Sequence, residues 1–205
     1  MYKMSYYTGH ERTEVIGFMR QHSFAFVTGI GEKFPVASQL PLEVVKSENG
    51  LHLTGHLMRK TDHHRAFEKN ENVLVVFHSP HAYINANWYE NKAQASTVNY
   101  MAVHATGKIS FTDEAGTLAA IRDLTNKNIG TGTAASFENI SKEYMDSMLK
   151  AIVGFSIAVE SIEHVFKLSQ NRHAADQEQI VKSLAASDDD GAKFIADEMT
   201  REGKR

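Results

Sequence analysis

An antiparallel β-barrel carrying inserted helices and ending in a helical C-terminus is the fold class this sequence predicts. Period-two alternation of apolar residues recurs in about six stretches at hairpin spacing. The helical stretches sit between groups of strands and do not alternate with them one for one, as the crossovers of a doubly wound parallel sheet would. From His173 onward the chain is polar with helical periodicity.

Each element follows in order. Thr13 to His22 reads as a short helix with Val15, Ile16 and Met19 on one side. Phe24, Phe26 and Thr28 then alternate, and Gly29-Ile30-Gly31 reads as a turn. Val36, Ser38, Leu40, Leu42 and Val44 predict one continuous strand. Ser47-Glu48-Asn49-Gly50 is a hairpin turn, because Asn-Gly tolerates positive φ. Leu51 to Met58 is the returning strand, and Thr61 caps a helix running to about Lys69. Val73 to His78 is a strand of β-formers, with Ala82 to Ile84 extending it beyond Pro80. Residues 85–98 read as an ordered loop anchored by Trp88 and Tyr89. Asn99 to Phe111 alternates again, with Gly107 marking a bulge or a close backbone approach. Asp113 caps a helix using Leu118, Ile121 and Leu124, and Ser141 opens another using Met145, Met148 and Leu149. Gly130-Thr131-Gly132-Thr133 lies between them as a joint. Val153, Phe155, Ile157 and Val159 form the last strand. Ile180, Val181 and Leu184 mark one C-terminal stripe, and Phe194, Ile195 and Met199 another.

Bulk properties narrow the function classes. The 205 residues carry no cysteine, so disulfides and thiolate metal sites are excluded. Net charge is −3, against the basic face of a general nucleic-acid binder. No membrane span or signal-peptide pattern is legible, and the expected location is the cytoplasm. No metal site is expected either. His63 and His64 point apart on a helix, and no His-Glu-x-x-His pattern occurs. A Walker loop, a Gly-x-Gly-x-x-Gly motif and a nucleophile elbow are also missing, and no catalytic residue is assigned.

Two polar clusters and one aromatic run carry the candidate chemistry. Thr54, Gly55, His56, Arg59, Lys60 and Thr61 end a strand and enter a helix. Two cations, hydroxyls and a helix N-terminus suit a phosphate, although a solvated basic turn reads the same way. Lys167, Gln170, Asn171 and Arg172 follow the last strand, as a polar clamp or as a capped loop. The aromatic and histidine run from Phe77 to Tyr89 reads as a self-packed loop in preference to a ring-binding one.

Several motifs, in order along the chain, resemble the PaiB family of FMN-binding negative transcriptional regulators, within the FMN-binding split-barrel superfamily. They are Val36-Ala37-Ser38-Gln39-Leu40-Pro41-Leu42, Ser79-Pro80-His81-Ala82-Tyr83-Ile84, Asn87-Trp88-Tyr89 and the run from Val98 to Gly107. Met148 to Phe155 and Lys167-Leu168-Ser169-Gln170-Asn171-Arg172 complete the set. The resemblance covers residues 1–186 and leaves 187–205 as a helical or mobile tail. It departs at His173, where the family has Pro, and at the N-terminus, which lacks an early Pro.

The resemblance implies a split β-barrel homodimer with FMN between subunits. It puts Arg59 and Lys60 on the phosphate within the Thr54–Thr61 turn, and Ser38 and Gln39 beside the ring. Lys167, Gln170, Asn171 and Arg172 would then close the pocket, from either subunit. Three functions follow as expectations. The first is a flavin oxidoreductase of the flavin-reductase kind, whose chemistry the cofactor supplies. The second is a flavin- or metabolite-sensing negative regulator that acts indirectly, without direct DNA binding. The third is a haem-binding split barrel with His56, His104 or His173 as axial ligand.

Overall fold

The computed structural model describes residues 1–2 and 4–204, in two compact units. Residues 16–77 and 104–162 form the first unit. Residues 1–15, 78–103 and 163–205 form the second. One sheet of seven strands has the order β2-β1-β5-β6-β7-β4-β3. Its strands are β1 (Phe24–Ile30), β2 (Pro35–Pro41), β3 (Glu43–Ser47), β4 (Gly50–Met58), β5 (Asn72–Ile84), β6 (Thr97–Phe111) and β7 (Ile152–Lys167). β1 pairs antiparallel with β2 and β5, and β4 with β3 and β7. The architecture is the antiparallel split β-barrel that the sequence predicts.

Local chemistry accounts for the first unit. β1 buries Ala25 and Val27, and β4 buries Leu51, Leu53 and Leu57, on alternate positions. Thr61 caps helix α3 (Asp62–Lys69; the shorter helices α1, Ser5–Thr8, and α2, Arg12–Gln21, precede it), and α3 buries His64, Ala66 and Phe67. Phe67 lies against Gly29, where an added Cβ would overlap its ring. Helix α4 (Glu114–Ile129), capped by Asp113, packs on β4 and β7, and the Thr117 hydroxyl accepts from the Gly154 amide at 2.9 Å. Helix α5 (Lys142–Ala151) follows, with Met145, Met148 and Leu149 half-buried.

Two strand boundaries differ from those the sequence predicts. β1 continues through Gly29 and Ile30, so the turn begins only at Gly31. The strand expected from Val36 to Val44 breaks at Leu42 into β2 and β3, because the two halves pair with different neighbours, β1 and β4. β5 runs unbroken to Ile84, the extension beyond Pro80 that the sequence predicts.

In the second unit Tyr89, not Trp88, anchors the loop after β5: Tyr89 is fully buried and Trp88 only half-buried. Helices α6 (Ala174–Ala185) and α7 (Asp190–Glu202) pack together, burying Ile180 and Leu184 from one and Ala192, Ile195, Ala196 and Met199 from the other. Asp189 caps α7 by accepting from the Gly191 amide at 2.7 Å. No helix among the described residues is long and apolar enough to cross a membrane.

Gly107 is a close backbone approach, since a Cβ there would overlap the Ala158 carbonyl oxygen of β7. Gly107→Ala is expected to cost roughly 1–3 kcal/mol, as overpacking does. A lowered urea midpoint would show it; an unchanged midpoint would mean the strands part freely.

Candidate functional site

Alternation along the strands sorts the residues of the first unit onto two faces. Ser38 pairs with Val27, and Leu40 with Ala25, so these β2 side chains share the buried face of β1. Gln39 pairs with Phe26 and lies on the opposite, exposed face, with Phe24 opposite Pro41 and Ile30 opposite Pro35. Ser38 and Gln39 therefore do not present side chains to one ligand from one face. In β4, Leu53, Gly55 and Leu57 are buried, while Thr54 and His56 point the other way. There Thr54 stands opposite Ser156, and His56 opposite Gly154, where α4 crosses. The His56 Nδ1 is buried without a hydrogen-bond partner among the described residues, and burial pushes its pKa below the usual histidine value.

The structure joins Thr61 to Ser38 through His63, a residue not among the sequence-predicted ligand contacts, while Arg59 and Lys60 precede Thr61 in the same turn. The Arg59 backbone amide donates to the Ala151 carbonyl at 2.8 Å, and its Nε to the Ile152 carbonyl at 2.8 Å. This leaves the terminal guanidinium nitrogens without a partner among the described residues. Lys60 is exposed and holds a left-handed φ of 65°, a conformation costing on the order of 1–2 kcal/mol outside glycine. It turns the chain from β4 into α3. The Thr61 hydroxyl donates to the Met58 carbonyl at 2.9 Å and accepts from the His64 amide at 3.4 Å. His63 lies between two hydroxyls: its Nδ1 is 2.7 Å from Ser38 Oγ, and its Nε2 is 3.0 Å from Thr61 Oγ1. Burial lowers the His63 pKa, and the neighbouring Asp62 carboxylate only partly opposes this. His64 diverges from it, its ring tilted at 42° to that of Phe111 with centroids 4.8 Å apart.

Beside this turn lies a groove of about 570 Å³ between the β1–β2 loop and α3. Phe34, Val36 and Ala66 give it apolar walls, and its rim is of mixed charge, with Lys33, Arg65 and Lys69 beside Glu32 and Asp62 and with Lys69 paired to Glu32. Val36 is two residues before Ser38 on the same face of β2. The groove can take a flat apolar body, and the turn an anion.

The second cluster belongs to the other unit and is largely engaged within it. Lys167 donates to the Val98 carbonyl at 2.8 Å and to the Thr97 hydroxyl, and burial, with Arg172 nearby, lowers its pKa. Gln170 accepts from the Leu168 amide at 2.7 Å and donates to the Phe166 carbonyl at 2.6 Å. Asn171 accepts from the Tyr7 hydroxyl at 3.3 Å. The Arg172 guanidinium lies 4.2 Å from the Tyr89 ring centroid and donates to Gln94. No group of three or more His, Asp or Glu among the described residues could hold a metal ion.

The family described as "Putative FMN-binding domain" matches residues 1–161. The protease synthase and sporulation protein PAI 2 of Bacillus subtilis (strain 168) is 34% identical over 202 residues, covering 97% of this chain and 96% of that protein. Among solved structures, an FAD and haem binding protein from Mycobacterium smegmatis is similar with a TM-score of 0.62, at 15% identity, over 82% of this chain and 77% of that one. A flavocytochrome from Azotobacter vinelandii gives 0.61 at 11% identity, over 82% and 72%. At those identities the two structures share the fold with this chain.

His56, His63 and, in the second unit, His164 are all held below the ordinary histidine pKa, with burial the largest cause in each. The unfolded chain therefore binds more protons than the native one between the ordinary value of about 6.5 and the lowered ones. Stability from these groups is complete above that ordinary value and is lost as pH falls through the lowered values. The urea midpoint is expected to fall between pH 7.5 and pH 5.5, and less steeply in a His56→Asn variant. Equal slopes in both proteins would refute a contribution from His56.

Proposed function

Because the chain belongs to the family described as "Putative FMN-binding domain", we propose that it binds FMN at the Arg59–Thr61 turn and serves as a flavin-reductase-like oxidoreductase. The observation that carries this reading is the Arg59 guanidinium, held by the Ile152 carbonyl, with the exposed Lys60 next to it in sequence. The donor set suits a phosphate: one fork-shaped cation and one point-like cation. The neighbouring groove, at about 570 Å³, lies within the roughly 300–1,000 Å³ of small-molecule sites. Phe34, Val36 and Ala66 would hold the apolar part of the ring, with Ser38 at its polar edge. Bound flavin supplies the electron and hydride chemistry, so the protein's work is to hold, orient and exclude water. No catalytic acid or base is assigned. Lys167, Gln170, Asn171 and Arg172 brace their own loop in this reading, and the two cations add positive charge around it.

A homodimer completes the proposal. Phe24, Phe26 and Ile30 expose 57%, 38% and 63% of their surface on one face of β1, an apolar run that a monomer in water seldom leaves uncovered. A second copy of the chain is its proposed cover, with Gln39 at that contact. Phe26→Asp is expected to turn a dimer into a folded monomer in light scattering; a monomeric wild type would reject the contact.

The experiment for the cofactor is a visible spectrum after incubation with FMN and removal of free ligand. Retained flavin absorbance, lost in an Arg59→Ala, Lys60→Ala double variant, is the expected result. A protein that stays colourless with FMN rejects the reading. Uptake of haem alone would instead favour the haem alternative, for which His56, His104 and His173 are the candidate ligands. A second functional reading, an indirectly acting regulator, is favoured by the similarity to the sporulation-associated relative. The net charge of −3 sets that reading against direct DNA contact.

A further inference from the structure

We propose that His63 is a positioning residue that holds the Ser38 hydroxyl as a hydrogen-bond acceptor toward the ligand. The inference rests on the FMN reading for the ligand's identity, and on the structure alone for the direction of the hydrogen bonds. The Thr61 hydroxyl has one proton, and its 2.9 Å bond to the Met58 carbonyl uses it. Toward His63 Nε2, 3.0 Å away, Thr61 must therefore accept, so Nε2 carries the imidazole proton. His63 is 14% exposed and kept neutral by burial, which leaves Nδ1 a lone pair. Ser38 Oγ, 2.7 Å from Nδ1, then donates its only proton to the ring. What remains on Ser38 is lone pairs.

Directionality has a chemical consequence. A ligand group meeting Ser38 at neutral pH must bring its own proton, as a ring N–H or a sugar hydroxyl does; a carbonyl or phosphate oxygen is turned away. Protonation of His63 would place a proton on Nδ1, make Ser38 the acceptor of that bond and free its hydroxyl to donate outward. The groups able to bias this are few. Asp62, 3.4 Å from Nδ1, favours a proton on that nitrogen, in the charged ring and in the opposite tautomer alike, while His64 and burial oppose the charged ring. β1 and β2, the strands packed on α3, carry no titratable side chain. The polarity of Ser38 is thus set by one ring and its helix cap.

Two measurements test this on the full chain. Long-range ¹⁵N NMR of the imidazoles, without any ligand, is expected to show His63 as the neutral Nε2–H tautomer at pH 7.5, and to show that preference lost in Thr61→Val but kept in Thr61→Ser. An Nδ1–H tautomer or an imidazolium at that pH overturns the proposal. The second measurement is a double-mutant cycle on FMN affinity. Ser38→Ala and His63→Leu are each expected to weaken binding roughly fivefold, the size of one net hydrogen bond, and the double variant no more than either alone. Multiplying losses would mean His63 does not act through Ser38. If wild type binds no FMN, the flavin reading falls, while the tautomer still decides the inference.

Discussion

One residue, Leu42, ties the two edges of the sheet to each other. The chain before it pairs with β1, the chain after it pairs with β4, and these neighbours lie at opposite ends of the strand order. A single buried residue joins the two pairings, its amide held by the Ser23 carbonyl at 2.9 Å. The sheet of the first unit must bend until β2 and β4 come near. Gly55 of β4 accordingly lies where a Cβ would be 3.1 Å from the Pro41 carbonyl oxygen.

Closure limits the interior, and the limit decides where α3 can sit. Gly29 gives the room that Phe67 fills, so the helix is fixed against the inward face by its own core residue. The first turn of α3 follows: Thr61 caps it, and His63 reaches Ser38 on the inward face of β2. The run from Thr54 to Thr61 is continuous in sequence but divided in space. Thr54 and His56 lie on the α4 side of β4, and only the residues after Met58 make the turn beside α3. A contiguous motif thus contributes to two faces, because a strand alternates and a turn does not.

That division marks the boundary of what the sequence could reveal. The Ser47–Gly50 hairpin, the Thr61 cap and the Gly107 approach were legible because each is local chemistry, with one residue type meeting one backbone demand. Arg59 and Lys60 were legible as charge. His63 was not, because its meaning depends on Ser38, 25 residues away, and on the inward parity of β2. A parity count along Val36, Ser38 and Leu40 combined with the helix cap could have paired them. The break at Leu42 was hidden for the opposite reason. Its alternation is perfect across the break, and only the change of pairing partner divides the strand.

In the proposed site, the turn's attraction for an anion would come from side chains more than from the helix end. An uncapped N-terminus offers its first amides and the positive end of the helix dipole. Here the His63 amide is bound by the Asp62 carboxylate at 2.8 Å, and the His64 amide by the Thr61 hydroxyl. Asp62 also places a negative charge where a phosphate would come. The helix thus neutralises much of its own field, and the attraction passes to Arg59 and Lys60. Arg59 has its orientation fixed by a backbone carbonyl, whereas Lys60 is free at its tip but held by a strained backbone. In the proposed site the first would fix where an anion sits and the second would add charge with little demand on direction. A site built this way discriminates by the geometry of one guanidinium, and its strength falls with ionic strength because the second cation is open to solvent.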